Sequence, residues 1–117
     1  MHKFNKIGVV GSRSFNDYHF MKKMLDNFIV KESIISGGAI GADKLAKRYA
    51  IDHSIPIKEF LPDWTRHGKA AGPIRNKIIV DNSDAIIAFW DGKSKGTKST
   101  ISIAKEQGKK VFVYWNS

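Results

Sequence analysis

Cysteine is absent from the 117 residues. That excludes disulfides and thiolate metal ligands, and is compatible with a reducing compartment. The four histidines, His2, His19, His53 and His67, are scattered without ligand spacing. Neither a metal nor a resident cofactor is expected. No apolar run reaches membrane length, and the opening MHKFNKIGVVGSRSF has no signal-type cleavage region. The expectation is a soluble cytoplasmic protein with no membrane partner. The segment GVVGSRSF does not make GxGxxG, and no P-loop pattern occurs, which disfavours ordinary NAD dehydrogenases and ATPases. No GxSxG elbow is present, so a Ser-His-Asp hydrolase has no support. Repeats, linkers and low-complexity segments are also missing. A single domain over residues 1–117 is expected.

Positive charge is plentiful. Twenty basic against 11 acidic side chains give +9, spread along the chain instead of gathered in a tail. This favours an anionic partner, either a nucleotide or a nucleic acid. With 42% hydrophobic residues the chain can bury one core.

Apolar spacing alternates between two types. Residues 6–10 (KIGVV), 33–36 (SIIS), 56–61 (PIKEFL), 85–90 (AIIAFW) and 110–115 (KVFVYW) read as strands. Met21, Met24, Leu25, Phe28 and Ile29 mark a first helix, capped by Asn16 or Asp17. Ala42, Leu45, Ala46, Tyr49 and Ala50 mark a second, residues 72–82 a third, and Thr97, Ile101 and Ala104 a fourth, stopped near Gly108. The order βαβαβαβαβ predicts an α/β fold: a Rossmann-like, doubly wound, mainly parallel five-stranded sheet with helices on both faces.

Ligands of such sheets bind beyond the carboxyl ends of the strands. Three clusters of small and polar residues fall there. Gly11, Ser12 and Arg13 follow strand one. Gly37, Gly38, Ala39, Gly41 and Asp43 follow strand two. Asp91, Gly96 and Thr97 follow strand four. Glycines that expose amides at helix starts suit a phosphate, and Arg13 could grip two of its oxygens. One such cluster is more often tight helix–strand packing. Three on one edge favour a ligand. In "DWTRHGKAAGPIRN", Asp63 and Trp64 begin the loop after strand three, while Arg75 and Asn76 fall in the next helix. Trp64 could stack on a base or simply anchor the loop.

Together, "GSRSF", "ISGGAIGADKLA", "FLPDW", "GKAAGPIRN", "AFWDGKSKGT" and "GKKVFVY" resemble the SLOG superfamily, and within it the bacterial and phage branch described as YspA-like, cpYpsA-related. The resemblance implies a nucleotide pocket at the strand ends and assembly into homo-oligomers. Its wider kin include LOG phosphoribohydrolases, binders of NAD-derived or ADP-ribose-like signals, and DNA-processing protein A, which binds single-stranded DNA. Gly96-Thr97 resembles the phosphate-binding Gly-Thr of the hydrolases, but Thr100 stands where those enzymes carry a glutamate. A threonine cannot stabilise an oxocarbenium-like state as a carboxylate does. The expected function is therefore binding of a nucleotide or an NAD- or ADP-ribose-derived ligand, in the manner of a sensor. The alternatives are an N-glycosidic hydrolase using Asp43, Asp63 or Asp91, and a nucleic-acid binder.

Overall fold

The strand at residues 85–90 and the carboxyl-terminal halves of the first two strands are apolar on both sides, so this part of the sheet must be covered twice. Ile7 and Val9 of β1 (His2–Gly11) turn to one face of the sheet and Val10 to the other. In β4 (Ala85–Trp90), Ile87 and Phe89 oppose Ile86 and Ala88 in the same way. This period of two follows from the pleat. The computed structural model describes residues 1–115. Its sheet has five strands in the order β3-β2-β1-β4-β5, completed by β2 (Phe28–Ser36), β3 (Ile57–Glu59) and β5 (Lys110–Trp115). Every pairing is parallel.

Two helices cover each face. On one, Met21 and Leu25 of α1 (Tyr18–Leu25) and Ala42, Ala46, Tyr49 and Ala50 of α2 (Ala42–Asp52) pack on Ile7, Val9, Ile34, Ile87 and Phe89. On the other lie Ile79 and Val80, then Ile101 and Ala104, from the two later helices. These are α4 (Ala71–Asp81) and α5 (Lys95–Glu106). A four-residue helix, α3 (Trp64–His67), and a 3-10 turn (Gly68–Ala70) precede α4. The doubly wound parallel sheet matches the sequence expectation.

Several boundaries differ from it: β1 starts at His2 instead of residue 6, and β2 at Phe28 instead of residue 33. The first helix ends at Leu25, because Asp26 caps it and Phe28 begins β2 opposite His2. Phe28 and Ile29, expected on the helix, are therefore strand residues, and the ring of Phe28 packs edge-on against Phe112. β3 is shorter than residues 56–61. The stretch after it, expected as loop, folds into α3 because the Asp63 carboxylate accepts the Arg66 N–H at 3.0 Å. Asp17 caps α1 in the same way through Phe20 N–H.

Candidate functional site

The two strands β1 and β4 stay paired up to Gly11 and Phe89, but the chain leaves β1 towards one face and β4 towards the other, so their connections diverge at the carboxyl ends. That is the switch point where a crevice opens in a doubly wound sheet. A pocket of about 590 Å³ lies there. Gly11 and Arg13, Gly37 to Ala39 with Asp43, and Gly96 with Thr97 bring all three small-residue loops to its wall. Trp64, Arg75 and Asn76 line it as well.

The remaining candidates build the frame. Ser12 is buried; its N–H donates to Phe89 O at 2.9 Å and its Oγ accepts the Asp91 N–H at 3.0 Å. Ser12 thus bolts the loop after β1 to the end of β4. Its carbonyl accepts the Ala42 N–H at 3.2 Å, which brings in the start of α2. Gly41 makes this junction possible. Its φ is +77°, and a Cβ there would run into the Ser12 and Arg13 carbonyls. Gly11 is equally confined, with a Cβ position 2.6 Å from Ala42 Cβ. Asp91 accepts N–H groups of Lys93 at 2.8 Å and Ser94 at 2.9 Å, which hold its carboxyl below the usual range. It shapes the turn into α5. Asp63 stands outside the pocket lining, as the cap of α3.

Gly96 differs from these. Its φ is not positive, and beyond its chain neighbours and the backbone of its own helix a Cβ there would meet no atom of the described residues within 4 Å. No packing or backbone requirement in the chain explains a glycine in the first turn of α5, where alanine favours the helix by about 1 kcal/mol. The open space lies on the pocket wall, beside the N–H groups of Lys95, Gly96 and Thr97, which have no partner four residues back in the helix. Thr97 Oγ1 and Ser94 Oγ lie 3.1 Å apart at this corner.

Two ionisable groups, Asp43 and Arg75, stand beside the second loop. Arg75 donates from Nη1 to Gly37 O at 2.9 Å and from Nε to Asn76 Oδ1 at 3.1 Å. Asn76 passes the connection to Gly96 O at 3.3 Å, tying α4 to the first turn of α5. Asp43 is 8% exposed and accepts the Ala39 N–H at 3.1 Å. Burial pushes its carboxyl up, against the pull of that N–H and of the Arg75 cation. Burial works on Arg75 in the opposite sense, and Asp43 offsets it; the guanidinium stays charged in any case. Arg13 stands exposed at the mouth. Trp64, 60% exposed, and Leu61, 69% exposed, add apolar surface to the same pocket lining.

Leu61, Lys95 and Thr100 also line the pocket and were not among the expected ligand contacts. Thr100 is buried, with its Oγ1 donating to Gly96 O at 3.1 Å, so it holds the first turn of α5 in place. Lys95 is legible as a cation in "GKSKGT", directly before Gly96. A second groove of about 410 Å³ runs along α2 and is lined by that helix alone, without converging polar groups from other elements. Among the described residues no three His, Asp or Glu side chains are grouped to hold a metal, and no helix is long and apolar enough to cross a membrane.

Residues 5–67 match the family model described as YspA, cpYpsA-related SLOG family. Gene 61 protein of Mycobacterium phage D29 is 33% identical over 81 residues, which is 64% of this chain and 65% of that protein. Among solved structures, DNA processing protein A from Streptococcus pneumoniae superposes with a TM-score of 0.79 at 23% identity, over 97% of this chain and 51% of the other. DNA processing protein A from Helicobacter pylori, whose single-stranded DNA binding mode was the subject of that structure, gives a TM-score of 0.65 at 22% identity, over 96% and 66%. The chain thus spans between about half and two thirds of each relative, and the two structural likenesses establish the fold alone.

Proposed function

The chain belongs to the YspA, cpYpsA-related SLOG family, and on that premise we propose that its strand-end pocket binds a nucleotide through its phosphate. The observation that carries this reading is the open flank of Gly96. It sits beside the first-turn amides of α5, in a pocket that also collects Arg13, Arg75 and Lys95. Amides at a helix start and a guanidinium both suit a phosphate. Trp64, exposed in the same lining, offers a face to a base. A pocket of about 590 Å³ is in the range of small-molecule sites. We read the site as a binding site without turnover. Thr100 is committed to Gly96 O, and of the three aspartates considered as catalysts only Asp43 lines the pocket, where burial favours its uncharged form.

A second reading has its own support. The net charge of +9 exceeds what one small ligand needs, and the Helicobacter neighbour of similar fold is described as binding single-stranded DNA. In that case the nucleotide in the pocket would be one unit of a strand.

Thermal unfolding with AMP, ADP-ribose and NAD tests the first reading. A ligand at a hundred times its Kd stabilises by about 2.7 kcal/mol, which for 117 residues is a rise of about 10 °C. Arg13→Ala, exposed at the mouth, should keep the unliganded Tm and lose most of that rise. No shift with any of the three, or the full shift in Arg13→Ala, would remove the phosphate reading.

A further inference from the structure

Trp115 closes β5 at the same carboxyl edge as the pocket, and it is 66% exposed. An indole left that open gains little from burial. Its neighbours nevertheless hold it in place. Trp115 is the register partner of Trp90 across the parallel pair, and the two rings stack at 5.3 Å between centroids and 26° between planes. Gly92, at φ +81°, lies beneath it, and a Cβ there would be 3.2 Å from Trp115 Cζ3. The chain turns tightly under the ring without pushing it off Trp90. Trp90 in turn donates from Nε1 to Ser94 O at 3.0 Å. Ser94 is the N-cap of α5 and part of the pocket wall. The stacked pair is therefore tied to the proposed phosphate corner through one hydrogen bond.

The surroundings carry positive charge. Lys93, Lys95 and Lys98 are exposed on the turn and first turns that join the platform to the pocket. The acid of that turn, Asp91, is engaged by the Lys93 and Ser94 amides. An aromatic face beside a lysine-rich path is the combination that binds single strands: cations follow the phosphates and flat rings take the bases. An apolar protein partner would gain little from the three lysines.

We propose that Trp115, backed by Trp90, is a second base-stacking position for a single-stranded nucleic acid whose neighbouring nucleotide occupies the pocket. The inference rests on the second reading above. The strand passes from the pocket over the α5 start, with Lys93, Lys95 and Lys98 along its phosphates, and one base stacks on the outer face of Trp115.

The test uses the full chain, a twelve-residue oligothymidylate and 5′-thymidine monophosphate. Removing one base stack weakens single-strand binding by roughly five- to a hundredfold. Trp115→Ala should lose affinity for the oligonucleotide within that range and keep its affinity for the mononucleotide. Trp115→Phe should recover most of the loss. Tryptophan fluorescence of the wild type should be quenched by the oligonucleotide, and much less in Trp115→Ala. Equal oligonucleotide affinity in wild type and Trp115→Ala would overturn the proposal, as would no oligonucleotide binding by the wild type. Failure of the pocket reading looks different: the mononucleotide would not bind and Arg13→Ala would have no effect, while the Trp115-dependent quenching would persist.

Discussion

Gly96→Ala separates a glycine kept for a ligand from one kept for the fold. At this position the substitution adds a methyl group into space where, apart from the adjoining residues and the helix's own backbone, no atom of the described residues lies within 4 Å. The backbone conformation is one that alanine accepts. Replacing glycine by alanine at such a site stabilises by about 0.4–1 kcal/mol, chiefly by restricting the unfolded chain. Unfolding entropy near 2.1 cal/mol/K per residue comes to about 0.25 kcal/mol/K for 117 residues. The unliganded Tm should therefore rise by about 2–4 °C. The same methyl group would stand where a phosphate approaches the first-turn amides of α5. Nucleotide affinity should fall at least about tenfold, or about 1.4 kcal/mol. Differential scanning calorimetry of the free protein and isothermal titration with the nucleotide read the two effects separately. A variant that is more stable and binds as well as the wild type would show that nothing seats beside Gly96. A variant that is less stable would show that the glycine serves the fold.

Gly41→Ala should behave in the reverse manner. A residue forced to φ +77° costs about 1–3 kcal/mol, and the added Cβ would also overlap the Ser12 and Arg13 carbonyls. A loss of at least about 2 kcal/mol lowers Tm by about 8 °C, measurable by circular dichroism; an unchanged Tm would refute the junction described for Ser12 and Gly41. Asp43→Asn should change the pH dependence of stability. Burial raises the Asp43 pKa in the folded chain above its ordinary value, so the folded state holds that proton more tightly than the unfolded one. Stability from this group is lost as pH rises from the ordinary value through the raised one, and the loss is constant above. Asparagine has no charge to bury and can still accept the Ala39 N–H. The stability of Asp43→Asn relative to wild type should increase across that window and stay level towards neutral pH; urea titrations at a series of pH values would show it, and a constant difference would refute it.

Much of this architecture was legible in the residues. The strands at 85–90 and 110–115 were read at their observed limits, because each is an apolar run bounded by polar residues and, before β5, by Gly108. The end of α1 was not. Phe28 and Ile29 continue the spacing of Met21, Met24 and Leu25, and only pairing with His2 and Lys3, some 26 residues away, draws them into β2. A four-residue helix such as α3 has too few positions to show a period.

The edge that holds the pocket was legible for a related reason: glycine clusters interrupt apolar runs at the strand ends. What could not be read was which glycine served which purpose. Gly11, Gly41 and Gly96 look alike in sequence. Ala42 and the Phe89 carbonyl confine the first, and the Ser12 and Arg13 carbonyls confine the second. Among the described residues, no side chain or distant backbone confines the third. That distinction depends on atoms brought together from distant positions. The pairing of Arg75 with Gly37 O, 38 residues apart, was hidden for the same reason.

The most direct measurement is an amide ¹H–¹⁵N correlation spectrum of the wild type during titration with a nucleoside monophosphate, and separately with the matching nucleoside. The expected result is that the monophosphate shifts the amides of Lys95, Gly96, Thr97, Gly37 and Gly38 in a saturable way, and that the nucleoside without phosphate leaves the three α5 amides in place. Shifts confined to other surfaces, or the same α5 shifts with nucleoside alone, would contradict a phosphate seat at the start of α5.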